Sequence, residues 1–199
     1  MQKTMNNSVL ADVLGQDAGV ALRVKQAVLV LVGIAILAVA AKIQVPMWPV
    51  PITMGTFAVL TLGAAYGPAL GFVTIIGYMI VGLLGFNVFA GSSAENYGLA
   101  YMMGGTGGYL VGYVLATLAL GALARRGWDR SFVWMALAML VGNVLIYVPG
   151  LLWLGALFGW DKPILQWGLT PFLVGDAIKL ALAALILPAV WTLVGRARG

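Results

Sequence analysis

Apolar residues run along this chain in long stretches, broken only by short polar or proline-rich connections. From Ile43 to Ala94 no residue is charged, over 52 positions. About 20 residues suffice to cross a bilayer as a helix, so that stretch has to hold more than one crossing. Gly67-Pro68 is its natural break. The pattern predicts six spans: Ala21 to Gln44, Thr53 to Tyr66, Ala69 to Phe86, Gly105 to Ala124, Phe132 to Leu154, and Thr170 to Val194. Pro188 falls inside the last and is expected to kink it. The expected fold is therefore an all-α membrane protein, a six-helix transmembrane bundle. Residues 1–20 are polar, with Asp12 and Asp17, and read as a short tail; residues 21–199 form the bundle.

Composition supports this reading. Of 199 residues, 62% are hydrophobic and 9% charged, where soluble domains carry about a quarter charged. The net charge is +5, but its distribution is that of a membrane protein, not of a nucleic-acid surface. With six spans, one side holds Lys3, Arg23, Lys25, Arg125, Arg126, Arg130, Arg196 and Arg198; the other holds only Lys42 and Lys162. That bias places both termini in the cytoplasm. The chain has no Cys and no His, which removes disulfides, thiolate chemistry and histidine proton relays.

The connections assigned to the outside are the distinctive ones. The first, Val45-Pro46-Met47-Trp48-Pro49-Val50-Pro51-Ile52-Thr53, has three prolines in six residues, which favours a stiff extended path over helix. It reads as a plain linker or, because Trp48 and Met47 sit among the prolines, as an apolar strap over a pocket mouth. The second connection carries Asn87, Phe89 and the cluster Gly104-Gly105-Thr106-Gly107-Gly108-Tyr109. This cluster lacks the Lys of a phosphate-binding P-loop and is better read as close backbone approach. Gly63, Gly67 and Gly71, with Gly108 and Gly112, repeat every fourth residue, a spacing that lets helices pack closely. Ala35, Ala38 and Ala41 thin one side of the first span and suit packing or an outward docking face.

Asp176 and Lys179 stand three residues apart inside an otherwise uncharged span. That spacing puts both on one helical face. A charge at membrane depth costs about 2.5 to 3.5 kcal/mol on insertion scales, so the pair calls for a reason. Mutual structural neutralisation is one. The other is a ligand site, favoured by the adjoining Pro171-Phe172 and Gly175. A carboxylate beside an ammonium suits a cyclic urea, whose N–H groups donate and whose carbonyl accepts. Asn143 and Tyr147, four apart in the fifth span, share a face and suit either a pocket wall or an interhelical clasp.

Taken together, these stretches resemble the BioY family, biotin-specific S components of energy-coupling-factor vitamin transporters. The resemblance rests on Val45 to Thr53, Val88-Phe89-Ala90-Gly91, Thr106 to Leu110, Tyr147 with Gly150 and Trp153-Leu154, and Pro171-Phe172 with Gly175, Asp176 and Lys179. Asn87 stands where the family usually has Pro, and Gly55 where it has Gln. The resemblance implies biotin capture at the external face of the cytoplasmic membrane, with no enzymatic activity. Asp176, Lys179, Asn87, Phe89, Asn143, Tyr147, Tyr109, Trp48 and Thr53 are the expected substrate-binding residues. It further implies a transmembrane coupling subunit and cytoplasmic ATPases as partners, so that ATP is hydrolysed outside this chain, which itself takes no cofactor or metal. Membrane lipid surrounds the bundle, and nucleic acid is not a partner. Two other readings of the charged pair remain: an ion-coupled carrier or channel, and an intramembrane enzyme acting on lipid.

Overall fold

In the computed structural model, residues 7–14, 18–92 and 96–198 are described, and Lys3, Asp17 and Glu95 lie outside them. Among the described residues the elements run α1 (Leu10–Val13), α2 (Gly19–Lys42), β1 (Gln44–Val45), β2 (Ile52–Thr53), α3 (Gly55–Leu83), α4 (Gly98–Met102), α5 (Gly107–Arg125), α6 (Phe132–Phe158), α7 (Ile164–Gly168) and α8 (Leu173–Arg198). Single 3-10 turns at Trp128–Arg130 and Thr170–Phe172 lead into α6 and α8. Among the described residues, five helical segments are long and apolar enough to cross a membrane. Large apolar side chains such as Leu31, Val39, Val144, Val174 and Leu185 stand exposed on their outer faces, as a bundle solvated by lipid requires.

The break expected at Gly67-Pro68 takes a particular form. α3 is one element, but Gly67 inside it has φ 76° and ψ 175°, a conformation that glycine adopts at little cost. Pro68 follows, with no N–H to lose. The two arms fold back on each other: a Cβ at Gly71 would lie 3.6 Å from Gly63 Cα, although eight residues of straight helix would separate them by about 12 Å. The glycines expected to permit close packing do so inside the bundle. A Cβ at Gly112 on α5 would fall 2.6 Å from Ile146 Cα on α6. The alanine side of α2 is split, with Ala35 exposed and Ala41 buried. α8 continues as helix through Pro188.

The two ends of the bundle differ. At one end lie the folded-back turn of α3, the α5–α6 connection and the N-terminal residues. The sequence suggests a solvated tail there, yet Ser8, Val9 and Ala11 are buried. Arg130 donates to Ser8 O at 3.0 Å, and Arg125 pairs with Asp12 at 3.1 Å. At the other end β1 and β2 form a two-residue antiparallel ladder, Gln44 opposite Thr53 and Val45 opposite Ile52. The proline-rich strap is thus a hairpin, its ends tied by the ladder. With residues 84–92 and 96–106 and with α7, it covers the candidate site.

Candidate functional site

The site is built where α3, α5, α6 and α8 converge beneath the hairpin. Asp176 and Lys179, one turn apart on α8, are both buried. Lys179 Nζ lies 3.0 Å from Asp176 Oδ1 and donates to Thr56 Oγ1 of α3 at 3.0 Å. Tyr147 of α6 donates its hydroxyl to Asp176 Oδ2. One carboxylate oxygen thus faces an ammonium and the other a phenol, which satisfies the desolvated charge. The pair is clasped between helices and also adjoins open space.

That space is a cavity of about 50 Å³, measured as room for the centres of water-sized spheres. Tyr147 and Lys179 line it, but Asp176 does not. The carboxylate stands behind the Tyr147 hydroxyl and instead borders a lateral groove between α6 and α8, together with Asn143 and Leu173. A ligand entering the cavity meets Tyr147 and Lys179 first. To reach Asp176 it has to take the place of the Tyr147 hydroxyl.

Much of the remaining wall is aromatic. Phe89 is 1% exposed, stacks on Tyr101 at 5.0 Å between ring centroids and meets Tyr78 edge-on at 5.3 Å. Tyr109 meets Tyr147 edge-on at 6.2 Å and donates to Gly168 O at 2.8 Å. Tyr113 and Phe172 also line the cavity. Such a pocket offers flat apolar faces for a ring and few polar contacts to orient it. Thr53 lines the cavity too; its hydroxyl accepts from Gly55 N at 2.9 Å and so fixes the start of α3. Gly55 lines the cavity as well, and a Cβ there would sit 3.0 Å from the Tyr113 hydroxyl. A residue larger than glycine at 55 would press on that tyrosine.

Of the nine residues expected from sequence, the structure brings Lys179, Phe89, Tyr147, Tyr109 and Thr53 to the cavity. Asp176 stands one layer behind. Asn143 borders the lateral groove. Asn87 is exposed, and its Oδ1 accepts from Lys42 at 2.6 Å. Trp48 is 68% exposed and packs edge-on against Trp167 at 5.1 Å and Phe158 at 5.5 Å. It latches the hairpin to the far side of the mouth, while Val50 and Pro51 of the same hairpin face the cavity. Sequence reasoning did not assign Thr56, Tyr78, Tyr101, Tyr113 or Phe172 to the site. Phe172 carried a signal in the Pro171-Phe172 pair beside Asp176, and Tyr113 another, standing four residues after Tyr109 and so on the same face. Thr56 and Tyr78 of α3 and Tyr101 of α4 are brought in by packing.

The BioY family pattern matches residues 7–196 of this chain. A Pyrococcus horikoshii protein named probable biotin transporter BioY is 38% identical over 165 residues, covering 83% of this chain and 95% of its own. The Thermotoga maritima biotin transporter BioY is 33% identical over 152 residues, covering 76% and 87%. In fold, the chain matches the crystal structure of the S-component for biotin from an ECF-type ABC transporter. The TM-score is 0.72 at 22% identity, over 88% of this chain and 95% of that one. The family and these relatives are transporters, not enzymes. With five long apolar helices among the described residues, the protein is a multi-pass membrane protein, and its sequence match, fold and helical pattern agree that it belongs to the BioY family.

Proposed function

We propose that this protein captures biotin at the hairpin end of the bundle and serves its uptake as the substrate-binding subunit of an ECF-type transporter. The observation that carries this reading is the buried Lys179–Asp176–Tyr147 cluster set against an aromatic cavity. The vitamin's urea ring supplies N–H donors for the carboxylate and a carbonyl for the ammonium. On this reading, Tyr147 keeps Asp176 satisfied while the site is empty and yields it to the ring N–H. The names of the relatives and the fold of the S-component support the substrate and the assembly.

The two arms of α3 count as separate crossings in this proposal, which makes six. Both termini then face the cytoplasm, with Arg23, Lys25, Arg125, Arg126 and Arg130 on that side. The hairpin end faces outward from the cytoplasmic membrane of a bacterial cell. A transmembrane coupling subunit and cytoplasmic ATPases supply the energy, and ATP is hydrolysed there.

Titration of the detergent-purified protein with biotin tests the substrate. Binding tighter than micromolar is expected, and its absence overturns the reading. Asp176→Asn is expected to weaken binding by about 2 to 5 kcal/mol, the usual cost of removing one member of a buried charged pair. An unaltered affinity in that variant removes the pair from the site.

A further inference from the structure

The ligand proposed above has a second polar end. Its tail terminates in a carboxylate, ionised at neutral pH, and the clasp of Lys179 by Asp176 and Thr56 leaves it no matching partner there. At the same end of the bundle stands Lys42, the last residue of α2. Its ammonium offers three donors. They go to Asn87 Oδ1 at 2.6 Å, Phe89 O at 2.7 Å and Ser92 Oγ at 3.2 Å, all neutral oxygens. No carboxylate among the described residues pairs with it. Lys162, also at this end, is already paired with Asp161 at 2.9 Å.

Lys42 lies beside the route into the cavity. Its neighbour Ala41 and the Phe89 whose carbonyl it holds both line that cavity. The cavity adjoins an open groove under the hairpin of about 180 Å³, and Ala90, Tyr101 and Thr106 line both. The groove thus begins one residue from the carbonyl bound by Lys42. Gln44 lines it as well, and its Oε1 is buried without a hydrogen-bond partner among the described residues. A buried polar atom left without a partner is costly. The other end of the same amide carries two N–H donors, which suit an anion in the groove.

We propose that Lys42 and Gln44 form a carboxylate subsite at the mouth, which reads the anionic tail and distinguishes the free acid from its ester or amide. This rests on the biotin reading and deepens it. Lys42 also clasps the 87–92 connection, so its removal has a structural consequence for Phe89 that acts on any ligand. The comparison of two ligands separates the effects.

The experiment titrates biotin and biotin methyl ester into the purified full chain, wild type, Lys42→Met and Lys42→Arg. The wild type is expected to prefer the acid by about fivefold at low salt, the upper range for an exposed ion pair, with the preference shrinking as salt is added. In Lys42→Met the ratio of the two affinities falls to near one, and in Lys42→Arg it survives. Equal weakening of acid and ester in Lys42→Met, or a wild type that binds both alike, overturns the subsite. A wild type that binds neither overturns the biotin reading itself.

Discussion

Asp176 and Asp129 are both buried carboxylates, one at each end of the bundle. Asp176 has an ammonium on one oxygen and a phenol on the other. Asp129, in the turn between α5 and α6, accepts one bond, from the Trp191 indole at 2.6 Å. Its Oδ1 finds no donor among the described residues. Arg130 lies with its guanidinium 4.2 Å over the Trp191 ring, near the carboxylate. The pair on α8 is neutral as a whole and holds its donors and acceptors ready for exchange with a ligand. Asp129 is a buried charge with incomplete solvation, and its natural remedy is a proton. Burial pushes its pKa up to about 6, against the opposing pull of Trp191 and Arg130. Partnership, more than depth, distinguishes the two carboxylates.

The largest expected effect comes from breaking the paired site. Lys179→Met leaves Asp176 buried without its ammonium and is expected to cost about 3 to 5 kcal/mol, read as a lowered melting temperature in detergent together with lost biotin binding. Adding Asp176→Asn should restore most of the stability and none of the binding. If the double variant is no more stable than Lys179→Met alone, the pair is not the electrostatic unit described here.

Asp129 predicts a smaller effect of opposite character. Its pKa stands at about 6 in the folded chain against an ordinary 3.8. Between these values the folded state holds the proton that the unfolded state has released. Stability is therefore greatest below about pH 4, falls as pH rises to about 6, and stays lower above it. The total is on the order of 2 to 3 kcal/mol. Asp129→Asn should flatten that slope in melting curves taken across the same pH range. A slope equal to that of the wild type would mean that the proton sits elsewhere.

The smallest effect concerns the hairpin. Trp48→Ala removes two edge-on ring contacts, each worth about 0.5 to 1.5 kcal/mol. The fold should persist, while release of biotin, followed by stopped flow, should quicken several-fold because the strap is less firmly latched. An unchanged release rate would detach the latch from the mouth.

Much of the architecture was legible in the sequence because lipid imposes a simple rule. Long apolar runs have to be helices, so the spans, the reversal at Gly67-Pro68 and the isolation of Asp176 and Lys179 could all be read from a one-dimensional pattern. The site was legible only in part. Tyr147 and Lys179 lie on the cavity because their faces are set by helical spacing. Asn143 shares a helical face with Tyr147, and both border the lateral groove, but only Tyr147 also reaches the cavity. Asn87 and Trp48 sit in connections, where no periodicity says which way a side chain turns. The packing of the N-terminal residues against Arg125 and Arg130 was equally hidden.

By itself the sequence determined that this chain lives in a membrane, where its helices run, where it reverses and which two charges lie deep within it. These follow from hydrophobicity and backbone chemistry, which act locally. Tertiary structure alone decided that tyrosines from four helices gather with Phe89 around one cavity, that Tyr147 screens Asp176 from it, and that Lys42 is held at its mouth by neutral oxygens. Those are contacts between residues far apart along the chain. Their energies depend on distance and desolvation, which exist only once the helices have packed.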